Sequence, residues 1–160
     1  MTSISVVSGP PPEAVTLPGV FTVDTLPTPS ESNYGMLAKV SDLFGQKRGY
    51  VMCQRYASTY AWEPPGDSPA VTMSGNQDIT FLPLKMPSII ILDGTLTANR
   101  SLNLTTDKAY PGMKFEVKFV GGLGLFGLNL TGLLSGPLSL LLNQQILAVF
   151  DASGSWKRLN

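Results

Sequence analysis

Residues 121–132 read GGLGLFGLNLTG and carry the spacing G-x-G-x-x-G at Gly122, Gly124 and Gly127, directly after an alternating run at 114–120. The chemistry this spacing offers is phosphate binding, because glycines let backbone amides approach a pyrophosphate at the N-terminus of the helix that follows. The downstream residues decide against it. After Gly127 the chain alternates apolar and polar residues and breaks at Ser135-Gly136-Pro137, which is strand and turn chemistry. The acidic residue that meets a ribose hydroxyl about 20 positions further on is missing, since no Asp or Glu lies between Glu116 and Asp151. The glycines are expected to serve turns and close backbone approach. No nucleotide or other cofactor is expected.

Other catalytic constellations are equally hard to build. Histidine is absent and Cys53 is the single cysteine, so Ser-His, Cys-His and His-rich metal sites cannot form within the chain. Cys53 lies in the apolar run Tyr50-Val51-Met52-Cys53, where a small buried hydrophobe is the expected role. The acids are scattered and sit beside turn residues, as in Pro65-Gly66-Asp67 and Asp93-Gly94, which suits local hydrogen bonding in solvent. An enzyme is not expected, nor a small-molecule substrate. The triplets at Asn99, Asn103 and Asn129 spell glycosylation acceptors, but strands rich in Asn, Thr and Leu generate them by chance, and no signal peptide pattern opens the chain.

Charge narrows the partners. Eleven basic and eleven acidic residues cancel, and only 14% of the chain is charged, well below the usual quarter. No footprint for nucleic acid or an anionic membrane results. From Phe119 to Phe150 no charged residue occurs, yet Gly, Asn, Thr, Ser, Pro and Gln interrupt the stretch, so no run of about 20 apolar residues forms. A Gly-Leu-Phe fusion peptide is a sharper reading of the same stretch, but the surrounding alternation already places its leucines in a core. A membrane is not expected. So little charge suits a subunit that hides surface in an assembly.

The surrounding segments are short and extended. Residues 1–29 carry Pro10, Pro11, Pro12, Pro18, Pro27 and Pro29, so they read as an extended N-terminal arm. Its Val6, Val7, Pro10, Pro11, Pro12, Val15, Leu17, Val20 and Phe21 are the expected contacts with a neighbouring molecule, and the β domain is expected to fold without residues 1–24. Residues 30–69 read as a small hairpin unit, with a strand at 34–40 and a hairpin at 50–56 and 60–63, closed by the proline cluster at 64–69. Residues 70–160 form the main domain, with strands at 79–84, 88–92, 101–105, 113–120, 127–130, 138–142 and 146–150. Short strands at this spacing predict an all-β fold, a β-sandwich or jelly-roll-like domain.

Two segments echo each other: Tyr56 and Phe150 each stand six positions before a tryptophan, Trp62 and Trp156. Both pairs are expected to pack across a terminal hairpin, each on one face. Leu123, Leu125, Phe126, Leu128, Leu130, Phe150 and Trp156 are the expected packing residues, inside the sandwich or around a three-fold axis.

The runs at 94–105, 110–119 and 145–159, with 25–35 and 56–62 before them, resemble β-rich modules of tailed-bacteriophage virion proteins, as found in head decoration proteins, head fibres and tail fibres. The glycine- and leucine-rich stretch at 121–142 departs from that pattern. The resemblance implies a non-enzymatic virion structural protein assembled in the host cytoplasm, commonly a homotrimer. Its partners are then copies of itself and a major capsid protein or another virion protein. Foremost is a capsid decoration (cement) protein or head fibre. The alternative is a tail-fibre, tail-tip or baseplate module touching neighbouring tail proteins or host glycans, on which Tyr50, Tyr56, Tyr60 and Trp62 would stack. A carbohydrate-active enzyme ranks third.

Overall fold

The computed structural model describes residues 15–45 and 48–160, which fold as an all-β protein with three sheets. Strands β1 (Leu37–Val40), β2 (Gly49–Tyr56) and β3 (Thr59–Glu63) form a small antiparallel sheet in that order. Residues 15–21 run along β1: Leu17 N donates to Leu37 O at 2.7 Å and Phe21 N to Lys39 O at 2.8 Å, which covers the sheet edge. Alternation sends Ala38, Val40, Val51, Cys53 and Trp62 to one face, where Val23 and Leu26 close over them. Trp62 Nε1 donates to Pro27 O at 2.7 Å.

The larger unit contains β4 (Ala70–Ser74), β5 (Ile79–Phe81), β6 (Ile89–Asp93), β7 (Arg100–Leu104), β8 (Lys114–Phe119), β9 (Leu128–Thr131), β10 (Leu138–Leu140), β11 (Gln145–Phe150) and β12 (Trp156–Arg158). They build two facing sheets, β12-β11-β8-β6-β4 and β10-β9-β7-β5, so the domain is sandwich-like. Consecutive coils pair in parallel, unlike a jelly roll. Ile89 lies beside both Ala70 and Glu116, and Leu102 beside both Ile79 and Leu130. The chain thus alternates between sheets, β4 to β5, β6 to β7 and β8 to β9, in the winding of a β-solenoid. Parallel neighbours need a long crossover, and here the crossover is a strand of the opposite sheet. β10, β11 and β12 then fold back antiparallel.

Period-two alternation places Ile79, Phe81, Leu102, Leu104, Leu128 and Leu130 from one sheet against Ile90, Leu92, Phe115, Val117, Phe119 and Ile146 from the other. Trp156 is fully buried among Phe81, Phe115 and Phe150, and its Nε1 donates to Thr105 O at 2.8 Å. The two units meet where Leu84, in the loop after β5, enters the core of the small sheet and its carbonyl accepts from Phe44 N at 2.6 Å.

The proposed echo between the two Trp hairpins does not hold. Phe150 pairs directly with Trp156, with ring centroids 5.3 Å apart. Tyr56 instead pairs with Thr59 across a two-residue turn, and Trp62 pairs with Cys53. Tyr56 stands three positions after Cys53, so alternation puts Tyr56 on the face opposite Trp62. The tighter turn changes the register, which sequence spacing alone does not reveal.

Candidate functional site

The glycine-rich stretch forms an exposed apolar end. β8 stops at Phe119, and Gly121 then passes so close to the β6–β7 connection that a β-carbon there would lie 2.0 Å from Gly94 O. Gly122 O accepts from Leu96 N at 2.8 Å, and Gly124 takes φ +58°. Phe126 N donates to Leu123 O at 3.0 Å, Gly127 N to Asn99 Oδ1 at 2.8 Å, and Arg100 N to Gly127 O at 2.8 Å. The turn is a hydrogen-bonded knuckle that runs into β9, a strand, rather than into a helix.

A second turn sits at the same end. Leu140 pairs with Leu128, and beyond it Asn143, at φ +59°, donates its N–H to Phe119 O at 2.7 Å. Gln144 N donates to Leu141 O at 3.0 Å, while its side-chain oxygen accepts from Leu141 N at 2.9 Å. The two turns present Val120, Leu125, Phe126, Leu141 and Leu142 to solvent, Leu125 being 99% exposed. No charged residue lies between Phe119 and Phe150. Exposed apolar side chains grouped on a hydrogen-bonded frame are the kind of surface that association would cover.

The expected packing residues divide accordingly. Leu128, Leu130, Phe150 and Trp156 are core, Leu123 packs half-buried against it, and Leu125 and Phe126 point out. Of the arm contacts, Leu17 and Phe21 pack on the small core of the same chain, and Val15 and Val20 are exposed. Val6, Val7, Pro10, Pro11 and Pro12 lie outside the described residues. The strand expected over 138–142 ends at Leu140, because Asn143 and Gln144 close a turn beyond it.

A second feature lies between the units: a cavity of about 250 Å³ lined by Phe44, Glu63, Asp67, Ser68, Tyr110 and Lys114, among others. The Tyr56 hydroxyl donates to the Glu63 carboxylate. Desolvation, and then the charges of Glu63 and Asp67, push the Tyr110 phenol up to about 12. Desolvation and the Glu63 hydrogen bond raise Tyr56 as well. Both phenols keep their protons at neutral pH, so each can donate a hydrogen bond, as Tyr56 does to Glu63. Sequence reading missed this site, because its residues come from four separated segments, at 44, 63–68, 88 and 110–114. Of the aromatics considered for sugar stacking, Trp62 is buried, Tyr50 is exposed, and Tyr60 packs edge-on against Tyr34 with centroids 6.2 Å apart.

Cys53 is buried; burial pushes its thiol up, and its Sγ donates to Asn33 Oδ1 at 3.2 Å. Among the described residues, no three His, Cys, Asp or Glu side chains are grouped to hold a metal ion, and no helix is long and apolar enough to cross a membrane. Comparisons with protein-family models, curated proteins and solved structures find no match to this chain.

Proposed function

We propose that the chain is a non-enzymatic structural subunit of a tailed-bacteriophage virion, a capsid decoration (cement) or head-fibre protein that works by association. The observation that carries the associative part is the apolar end, where Leu125, Phe126, Leu141 and Leu142 stand exposed on two hydrogen-bonded turns. Three copies gathered about an axis through that end remove those side chains from water, at about 25 cal/mol per Å² of apolar surface covered. The low charge and the sandwich-like domain support this reading, and the virion assignment rests on the resemblance of the β modules. Gel densitometry of purified particles tests it. Abundance near that of the major capsid protein is expected, and a few copies per particle would contradict a place on the head.

The cavity beside Tyr110 favours a second reading. Two carboxylates and an ammonium around a concave polar site suit the hydroxyls of a glycan, as in a tail module that touches the host. Glycan-array binding lost in Glu63→Gln supports that reading, and an array without hits removes it.

A further inference from the structure

Strand β4 is an open sheet edge that is longer than most of the others and carries no charge. Edge strands present unpaired backbone groups, and proteins blunt them with shortness, charge, proline or a cover. β12 has three residues, two of them Lys157 and Arg158. β5 and β10 also have three residues, the first followed within two positions by Pro83 and the second preceded by Pro137. β1 is covered by residues 15–21, and β3 ends in Glu63 before two prolines. β4, Ala70-Val71-Thr72-Met73-Ser74, is directly preceded by Pro69, but it is five residues long and has neither charge nor proline within it.

Its outward groups can be assigned. Gly75 N donates to Asp93 O at 2.6 Å, on the β6 side. Groups alternate along a strand, so Val71 and Met73 bond to β6, while the N–H and C=O of Ala70, Thr72 and Ser74 point away from it. Among the described residues these outward groups have no further backbone partner. The side chains of Val71 and Met73 face the core but stay half-buried, and those of Ala70, Thr72 and Ser74 are exposed.

We propose that β4 pairs antiparallel with β4 of a second copy, about a two-fold axis at Thr72. In that register Val71 lies opposite Met73 of the partner copy and Ala70 opposite Ser74, so each copy covers the half-buried apolar side chains of the other and continues its five-stranded sheet. Self-pairing is favoured over head-to-tail pairing because the far edge, β12, is basic and β4 offers it no acid. The strand is also the longest uncovered, uncharged edge among the described residues. This contact is independent of the apolar end and of where the protein resides.

Light scattering on the full chain tests the pairing. The wild-type particle is expected to hold an even number of copies, six where three copies also meet at the apolar end. Thr72→Pro removes an outward N–H that β6 does not use, a place where an edge tolerates proline, and should halve the mass while the circular dichroism is unchanged. Thr72→Lys and Thr72→Glu, each placed opposite itself, should each weaken pairing by roughly two- to fivefold. Mixing the two at equal concentration should restore it. An odd number of copies in the wild type, an unchanged mass for folded Thr72→Pro, or no recovery on mixing overturns the proposal. The mixing result also excludes coverage of the edge by the chain's own residues or by another strand.

Discussion

Gly121 lies against Gly94 so closely that any side chain at 121 meets backbone: an added β-carbon would sit 2.0 Å from Gly94 O and 2.8 Å from Gly94 N. This approach bends the chain out of β8 and starts the apolar knuckle.

Gly121→Ala should therefore destabilise the protein by roughly 1–3 kcal/mol through overpacking. Gly124→Ala should cost about 1–2 kcal/mol, because its φ of +58° is left-handed. Gly127→Ala should be mild, since a β-carbon there finds only Asn99 Oδ1 at 3.8 Å. Urea midpoints measure the series. Equal effects at all three positions would refute this ranking.

Trp156 closes the large core from near the end of the chain. Trp156→Ala should cost about 3–5 kcal/mol. Trp156→Phe leaves the half-buried Thr105 O without its donor and should cost less than Trp156→Ala, up to the roughly 1–3 kcal/mol of an unsatisfied acceptor. Thermal melts distinguish these values from a change within error, which would mean that the indole is not packed.

Tyr110 gives an alkaline signature. Its folded value, raised from 10.0 to about 12, means that its contribution is fully present below pH 10 and is lost as pH rises through about 12. Tyr56 shifts in the same direction. Tyr110→Phe should flatten the fall in urea midpoint over that window relative to the parent, and an identical fall would contradict the burial of the phenol beside Glu63 and Asp67.

The all-β class and most strand positions are legible in the sequence because alternation and turn residues mark them, as at 114–119 and 145–150. β4 is not, since Ala-Val-Thr-Met-Ser follows a proline cluster and has only two large apolar side chains. The parallel winding is invisible too, because alternation reports which face a residue takes, not which strand lies beside it. The apolar end is written in the sequence as an uncharged stretch, but whether its leucines face in or out depends on the turns. Leu130 falls within β9 and is buried, and Leu125 falls on the knuckle and is exposed.

The segment at 15–24 shows the same dependence. Its Val, Leu and Phe residues read as contacts for a neighbour, yet Val23 is buried in the small core and Phe21 bonds to β1. Removing residues 1–24 should unfold the small sheet, whereas removing residues 1–14 should spare it. Hydrogen exchange at Val51 and Cys53 reports the difference, and slow exchange after the longer deletion would contradict the role of Val23.

The role of the apolar end is tested most directly by the mass of the full chain with Leu125→Asp and Leu142→Asp together, measured by light scattering at micromolar concentration. Both side chains are exposed, so thermal stability should stay within about 0.5 kcal/mol per site. The expected result is a threefold fall in mass from the wild-type particle with the fold unchanged. A wild type that is already monomeric, or a folded double variant of undiminished mass, would contradict association through this end.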